Sequence, residues 1–269
     1  MNSFDERMRH NYAGRAEIFE RTFGKLCAYP VPTVLDAVGV AAGTRLLDVG
    51  CGTGSVAAAA RDRGAAVTAV DPEQSMVEIA SRRVPEATVL AGELPRLPFE
   101  DDAFDAVVAN FVLNHVGDPL AALGELRRVL RPHGRLGLTI WPQPPTPLHG
   151  LWPRVFEAAG VDANANVARL AADKDFERTE AGLAGLLADA KFVEVETRTV
   201  PWKHRVDPEL WWSGPAAGLA SFGQVLAAQT PETVARIKRE YDRLSAEFRV
   251  ATGELALPTA ALLAVAVAP

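Results

Sequence analysis

The run Leu46-Leu47-Asp48-Val49-Gly50-Cys51-Gly52-Thr53-Gly54 constrains this chain more than any other segment. An apolar stretch ends in an acid, and three alternate glycines follow. Ser55-Val56-Ala57-Ala58-Ala59-Ala60 then reads as the opening of a helix. Strand, glycine-rich turn and helix make the first unit of a nucleotide-type α/β fold. Glycines there let the backbone approach a ligand closely, because no Cβ intervenes and positive φ is accessible. The helix start offers free N–H groups. Spacing narrows the ligand. A dinucleotide fingerprint is G-x-G-x-x-G, whereas here the third glycine arrives one residue early, at Gly54, and Ser55 holds the place reserved for Gly or Ala. No Gly-Lys-Ser/Thr ending follows, which excludes a P-loop.

Hydrophobic periodicity extends the pattern. Strands are expected at 45–49, 66–70, 88–90, 104–109 and 135–141, alternating with helices at 54–63, 73–83 and 119–130. Such alternation argues a parallel sheet. The N-terminal 5–29 reads as one or two helices, with a short helix over 33–38. After the Pro-rich connector at 142–147 the pattern changes. Helices are expected near 150–160 and 179–190, and 192–202 alternates as a half-exposed strand does. A helix over 231–248 follows, and the apolar run 255–268 reads as a buried terminal strand. That run is too short to cross a bilayer, which takes about 20 residues.

The chain has 269 residues, enough for one large α/β domain with cap segments. Net charge is -6 and no block of Lys or Arg appears, which argues against nucleic acid as a partner. The two cysteines, Cys27 and Cys51, have neither metal nor disulfide spacing. This fits a reducing, cytoplasmic setting. The first ten residues are polar and charged, unlike a signal peptide. Abundant Ala, with Arg favoured over Lys, points to a high-GC bacterial gene.

The turn D-x-G-x-G-x-G resembles the first motif of the class I S-adenosylmethionine (SAM) dependent methyltransferases. Further segments are similar to the ubiquinone/menaquinone-biosynthesis-like, or type 11, group. Ala91-Gly92-Glu93-Leu94-Pro95-Arg96-Leu97-Pro98-Phe99 resembles "G-D-A-x-x-L-P-F", with Glu93 for the usual Asp. Phe99-Glu100-Asp101-Asp102-Ala103-Phe104-Asp105-Ala106-Val107 resembles "F-x-D-x-x-F-D-x-V". Leu113-Asn114-His115-Val116 resembles "L-H-H-V", with Asn for the first His. The segment from Leu126 to Leu136 resembles "L-x-R-V-L-K-P-G-G-x-L", with His133 for a glycine. Together these matches cover 45–141.

The resemblance implies a doubly wound, seven-stranded, mostly parallel Rossmann-like sheet with helical cap insertions. It implies one methyltransferase domain over 1–269. The SAM-binding core would be 35–142 with 179–203 and 255–268, and the cap or lid 1–34, 143–178 and 204–254. Ligand binds at the carboxyl ends of the strands. The implied cofactor residues are Asp48, Gly50, Cys51, Gly52, Gly54, Asp71, Pro72, Met76, Gly92, Glu93, Leu94, Asn110 and Phe111. Asp48 is the anionic partner for the ammonium of SAM, Asp71 the acceptor of both ribose hydroxyls, and Glu93 the contact of the adenine amino group. Met76 either stacks on adenine or is an ordinary core methionine.

SAM carries an electrophilic methyl, so alignment and water exclusion are the main requirements. A base is needed only where the acceptor must lose a proton. Candidates are His115, after the fourth strand, and His10 and Tyr12 in the N-terminal segment, each with a purely structural alternative. His149, Trp152, Trp211, Trp212 and Phe222 are candidates for an apolar acceptor pocket, the alternative being packing of cap on sheet. No cluster has metal-ligand spacing. The expected activity is methyl transfer to carbon or oxygen of a small, partly apolar metabolite, by a monomer or homodimer without membrane or nucleic-acid partners. Two other readings stay open. One is a SAM-binding enzyme of this fold that catalyses a non-transfer reaction; the other is a non-catalytic SAM- or small-molecule-binding regulator.

Overall fold

The computed structural model describes residues 3–163 and 169–269. The strands are β1 (Arg45–Val49), β2 (Ala66–Asp71), β3 (Thr88–Ala91), β4 (Phe104–Asn110), β5 (Leu130–Ile140), β6 (Val193–Val206) and β7 (Leu255–Val267). They form one sheet in the order β3-β2-β1-β4-β5-β7-β6. Strands β1 to β5 run parallel, and β7 is antiparallel to both its neighbours. The central strands are apolar on both faces because helices cover both: Leu46 and Leu47 are fully buried on opposite sides of β1. The order reverses beside β1, since β1 pairs with β2 on one side and β4 on the other. That opens a crevice at the strand ends.

Twelve helices appear among the described residues. In chain order they are α1 (Ser3–His10), α2 (Ala16–Phe19), α3 (Lys25–Cys27), α4 (Val31–Ala37), α5 (Ser55–Arg61), α6 (Gln74–Arg83), α7 (Pro119–Val129), α8 (Pro147–Ala158), α9 (Glu180–Asp189), α10 (Pro208–Ala216), α11 (Ala220–Ala227) and α12 (Pro231–Ser245). Local chemistry sets their starts. The Asp118 carboxylate accepts Ala121 N–H at 3.0 Å with Pro119 at the first helical position, and Thr179 Oγ1 accepts Gly182 N–H at 3.0 Å. Both satisfy orphan donors of a first turn. Between α2 and α3 the chain widens into a π turn, Glu20–Gly24, where the Thr22 hydroxyl donates to the Ile18 carbonyl at 2.6 Å. Sequence periodicity carried no sign of this insertion.

Two family motifs serve the fold. Asp105 accepts Arg45 N–H at 2.8 Å and its Nε and Nη2 at 3.2 and 2.8 Å, tying β4 to β1 at the amino edge. Arg128 reaches Glu125, Asp101 and the carbonyls of Leu97 and Phe99, clamping the loop before β4. His133 lies at that same edge with φ +63°, a backbone angle that glycine adopts more readily.

The sheet is taller at one side. Residues 262–267 of β7 pair with β5, while 255–261 pair only with β6. This two-stranded ribbon rises past the carboxyl edge of the parallel strands. Neighbouring antiparallel strands need only a tight turn, yet β6 and β7 are joined through α10, α11 and α12. Those helices and α8 pack on the ribbon around a second core, separate from the cores on the two sheet faces. Its centre is Trp152, fully buried, with Phe222 and Tyr241 stacked at 5.8 and 5.4 Å. Replacing Trp152 with Ala removes the largest side chain of this core and is expected to cost about 3–5 kcal/mol. Urea denaturation of the full chain measures it, and a loss under about 1 kcal/mol contradicts the role.

Candidate functional site

A cavity of about 840 Å³ opens at the carboxyl ends of β1, β2, β4 and β5, within the range of small-molecule sites. Its first wall is the glycine turn. Gly50, Gly52 and Gly54 all have positive φ, at +63°, +52° and +81°. A Cβ on Gly50 would stand 2.5 Å from Val112 Cγ2, so only glycine lets the turn pass that close. Gly54 caps α5 and does not line the cavity.

The turn surrounds two buried acids. Asp48 Oδ2 accepts Ala57 N–H at 3.0 Å, while its buried Oδ1 has no partner. Asp71 Oδ2 accepts Gly52 N–H at 2.8 Å and Oδ1 accepts Glu73 N–H at 3.0 Å. Asp71 therefore holds the glycine turn in place as well as lining the cavity. Burial pushes the Asp48 carboxyl up to about 8, with the Ala57 N–H opposing and Asp71 reinforcing. Burial likewise raises Asp71 to about 6, against the N–H bonds of Glu73 and Gly52. Neither shift includes a contribution from a basic side chain. An unpaired buried carboxylate oxygen suits a cationic ligand, and the spare lone pairs of Asp71 suit hydroxyls. Among the described residues, no three His, Cys, Asp or Glu side chains come together as a metal site.

The second wall follows β4 and β5. Phe111 has φ +60° and its N–H meets the Thr139 carbonyl and hydroxyl, each at 3.0 Å. Thr139 donates to Asn110 Oδ1 at 2.7 Å, and Asn110 Nδ2 donates to the Cys27 carbonyl at 2.9 Å. Asn110 lines the cavity, but both ends of its amide already have protein partners. The Phe111 ring stacks on Trp141 at 3.8 Å, and Trp141 meets His149 at 4.4 Å. His149 Nδ1 is bonded to Thr146 Oγ1 at 3.1 Å.

The N-terminal segment makes the third wall. Asp5 Oδ1 accepts Gly117 N–H at 2.6 Å, Arg9 pairs with Glu93 at 2.8 Å, and Gly14 N–H reaches Glu73 at 3.1 Å. The acid at Glu93 is thus engaged by the segment that covers it. Between these ties, the Tyr12 hydroxyl lies 3.5 Å from His115 Nε2, ring edge to face at 5.4 Å. His115 Nδ1 is buried without a partner. Burial lowers His115 to about 4 and raises Tyr12, so both are neutral near pH 7.

The cavity thus gathers Tyr12, Asp48, Gly50, Cys51, Gly52, Asp71, Pro72, Met76, Gly92, Glu93, Leu94, Asn110, Phe111, His115, His149 and Phe222. It does not gather five others, Gly54 at the start of α5 being one. His10 is exposed on α1, away from the cavity, and its carbonyl accepts from Arg15 Nη1 at 3.0 Å. Trp152 and Trp211 are fully buried in the second core, Trp211 against Phe23 at 4.9 Å. Trp212 packs on that core beneath Lys238. These tryptophans pack in the cap core, which buries Trp152 and Trp211 fully and Trp212 in part. Sequence reasoning missed Phe19, Phe23 and Cys27, whose four-residue spacing was the available signal. It also missed Trp141, Gln143 and Arg178, which line the cavity from loops that carry no periodicity.

Residues 47–138 match a family model described as a methyltransferase domain. The chain is 43% identical over 103 residues to the demethylmenaquinone methyltransferase of Renibacterium salmoninarum, covering 38% of this chain and 44% of that one. It is 42% identical over 111 residues to the enzyme of the same name from Beutenbergia cavernae, covering 41% and 46%. It therefore matches less than half the length of these curated relatives. The crystal structure of the YcgJ protein from Bacillus subtilis superposes over 89% of this chain and 97% of that one, with a TM-score of 0.58 at 19% identity; this likeness concerns the fold. Residues 47–138, with the glycine turn and its two acids, thus resemble a type 11 methyltransferase domain.

Proposed function

We propose that the protein binds SAM at the acidic end of the cavity and transfers its methyl group to carbon or oxygen of a small, partly apolar metabolite. The observation that carries this reading is the buried, unpaired Asp48 Oδ1 beside the glycine turn. An ammonium there would restore the ionised form of a carboxylate that burial alone disfavours. Asp71 would accept ribose hydroxyls with the lone pairs its two N–H donors leave free.

When bound, SAM supplies a methyl on a sulfonium, already electrophilic. The protein's part is then alignment and exclusion of water. The segment pinned by Asp5, Arg9 and Gly14 closes the site from above. His115, neutral above about pH 4, can take a proton from an acceptor hydroxyl and holds Tyr12 at the cavity wall. Asp48 and Asp71 would hold SAM, which would supply the methyl group that the acceptor takes up.

S-Adenosylhomocysteine should raise the melting temperature by linkage, and NAD should not. No shift at millimolar nucleoside, or a larger one with NAD, overturns the reading. Asp71→Asn should weaken S-adenosylhomocysteine by about 1.5 kcal/mol, the scale of a lost charge-assisted hydrogen bond; calorimetry on the folded variant measures it. Unchanged affinity removes Asp71 from the ribose role.

The pH dependence has a definite sign. Asp48 is protonated in the fold up to about 8 but is ionised above about 4 when the chain unfolds. The native state thus holds the extra proton between these values, and stability falls as pH rises through that window. A cationic ligand favours the ionised acid, so its stabilising effect should grow from pH 6 to pH 8, with proton release seen in buffers of different ionisation enthalpy. Asp48→Asn should flatten both profiles. A ligand effect that is flat with pH in the unmodified chain contradicts the ammonium assignment.

A further inference from the structure

The cavity has two ends of opposite chemistry. Over β1 and β2 it presents Asp48 and Asp71. Over β4 and β5 it presents aromatic faces and hydrogen-bond donors. Arg178 belongs to this second end. Its carbonyl accepts Gln143 N–H at 2.9 Å, which fixes it beside the exit of β5, and its side chain is only 14% exposed. Nη1 donates to Asp175 Oδ1 at 2.8 Å and to the Phe176 carbonyl at 3.3 Å. The guanidinium rests 5.0 Å from the Phe176 ring centre.

That arrangement leaves Nε and Nη2 with no protein partner among the described residues. These two N–H groups form one side of the guanidinium fork, the side that grips a carboxylate with two parallel bonds. The same molecule shows that side occupied elsewhere. Arg45 gives Nε and Nη2 to Asp105 at 3.2 and 2.8 Å, and Arg243 gives both to Glu240 at 2.8 and 2.6 Å. A second donor lies at this end. Asn114 spends Oδ1 on Trp141 N–H at 3.0 Å, so its remaining capacity is its NH₂. The Phe111–Trp141 stack lines the same cavity as these donors.

We propose that the methyl acceptor is a planar aromatic carboxylate, held by the Nε–Nη2 side of Arg178 with its ring against Phe111 and Trp141. This rests on the methyltransferase reading above and specifies its second substrate. A neutral aromatic acceptor would strip water from that side of Arg178 and return no hydrogen bonds. A carboxylate replaces them in bidentate geometry. Asp175 does not fill the role, because it reaches only Nη1 and is itself half-exposed.

The test is calorimetry on the full chain, with 2-naphthoate and its neutral counterpart 2-naphthamide, each titrated with and without saturating S-adenosylhomocysteine. The naphthoate should bind about tenfold tighter or more, the scale of hydrogen bonds to a charged group. Arg178→Gln should abolish the preference and Arg178→Lys should keep part of it, while S-adenosylhomocysteine affinity stays unchanged in both. Equal affinity for the two probes, no binding of either at millimolar concentration, or a preference that survives Arg178→Gln overturns the proposal. Failure of S-adenosylhomocysteine to bind the unmodified chain is a separate result that strikes the methyltransferase reading, since the probe titrations without nucleoside stand apart from it.

Discussion

Two carboxylates, Asp48 and Asp71, sit at the ends of adjacent strands, buried and without a basic partner among the described residues. Everything at this end of the sheet depends on that arrangement. The acids accept N–H groups from the turn and helix that follow β1, so the glycine loop wraps around two buried carboxyl groups. A buried anion without a counter-ion is costly. The fold tolerates the pair by keeping Asp48 protonated to about 8 and by satisfying both oxygens of Asp71 with backbone donors. Burial disfavours the ionised form of these acids, and a cationic partner would favour it.

The rest of the molecule encloses that turn. The β6–β7 ribbon lifts a second aromatic core above the sheet edge, and α8, α10 and α12 pack on it. The N-terminal segment is tied down by polar contacts to Gly117, Glu93 and Glu73. All three use side chains that line the cavity, Asp5, Arg9 with Glu93, and Glu73, so this segment is held by groups that a ligand would also approach. The cap itself is held by buried aromatic surface, which is non-directional and insensitive to what enters the cavity. This separates a polar, adjustable cover from a rigid apolar wall.

Much of the cofactor half was legible in the residues. Strand, glycine turn and helix follow one another without interruption over 45–61, and the next strand ends in the second acid, Asp71. Local spacing therefore carries their geometry. The helices expected over 119–130 and near 179–190 are likewise present, as Pro119–Val129 and Glu180–Asp189. The tryptophans were the harder case. Trp152, Trp211 and Trp212 had the composition of a pocket lining, yet the structure buries them in the cap core. Composition cannot say which face of a helix turns to a cavity and which to a core when both are apolar. The π turn at Glu20–Gly24 was equally silent, because one inserted residue leaves the four-residue spacing of Phe19 and Phe23 intact.

Whereas the order-reversing sheet came from the family resemblance, the sequence by itself determined the alternation of strands and helices and a turn built for close backbone approach. These follow from periodicity and from glycine's freedom at positive φ, both local properties. Tertiary structure alone decided that Asp48 keeps an unpaired oxygen, that Asn110 is spent on Cys27 and Thr139, and that Arg178 presents an open pair of donors beside the Phe111–Trp141 stack. Each of these depends on partners far apart in the chain. Whether a polar group is satisfied is set by what packs against it, and no spacing rule reports that.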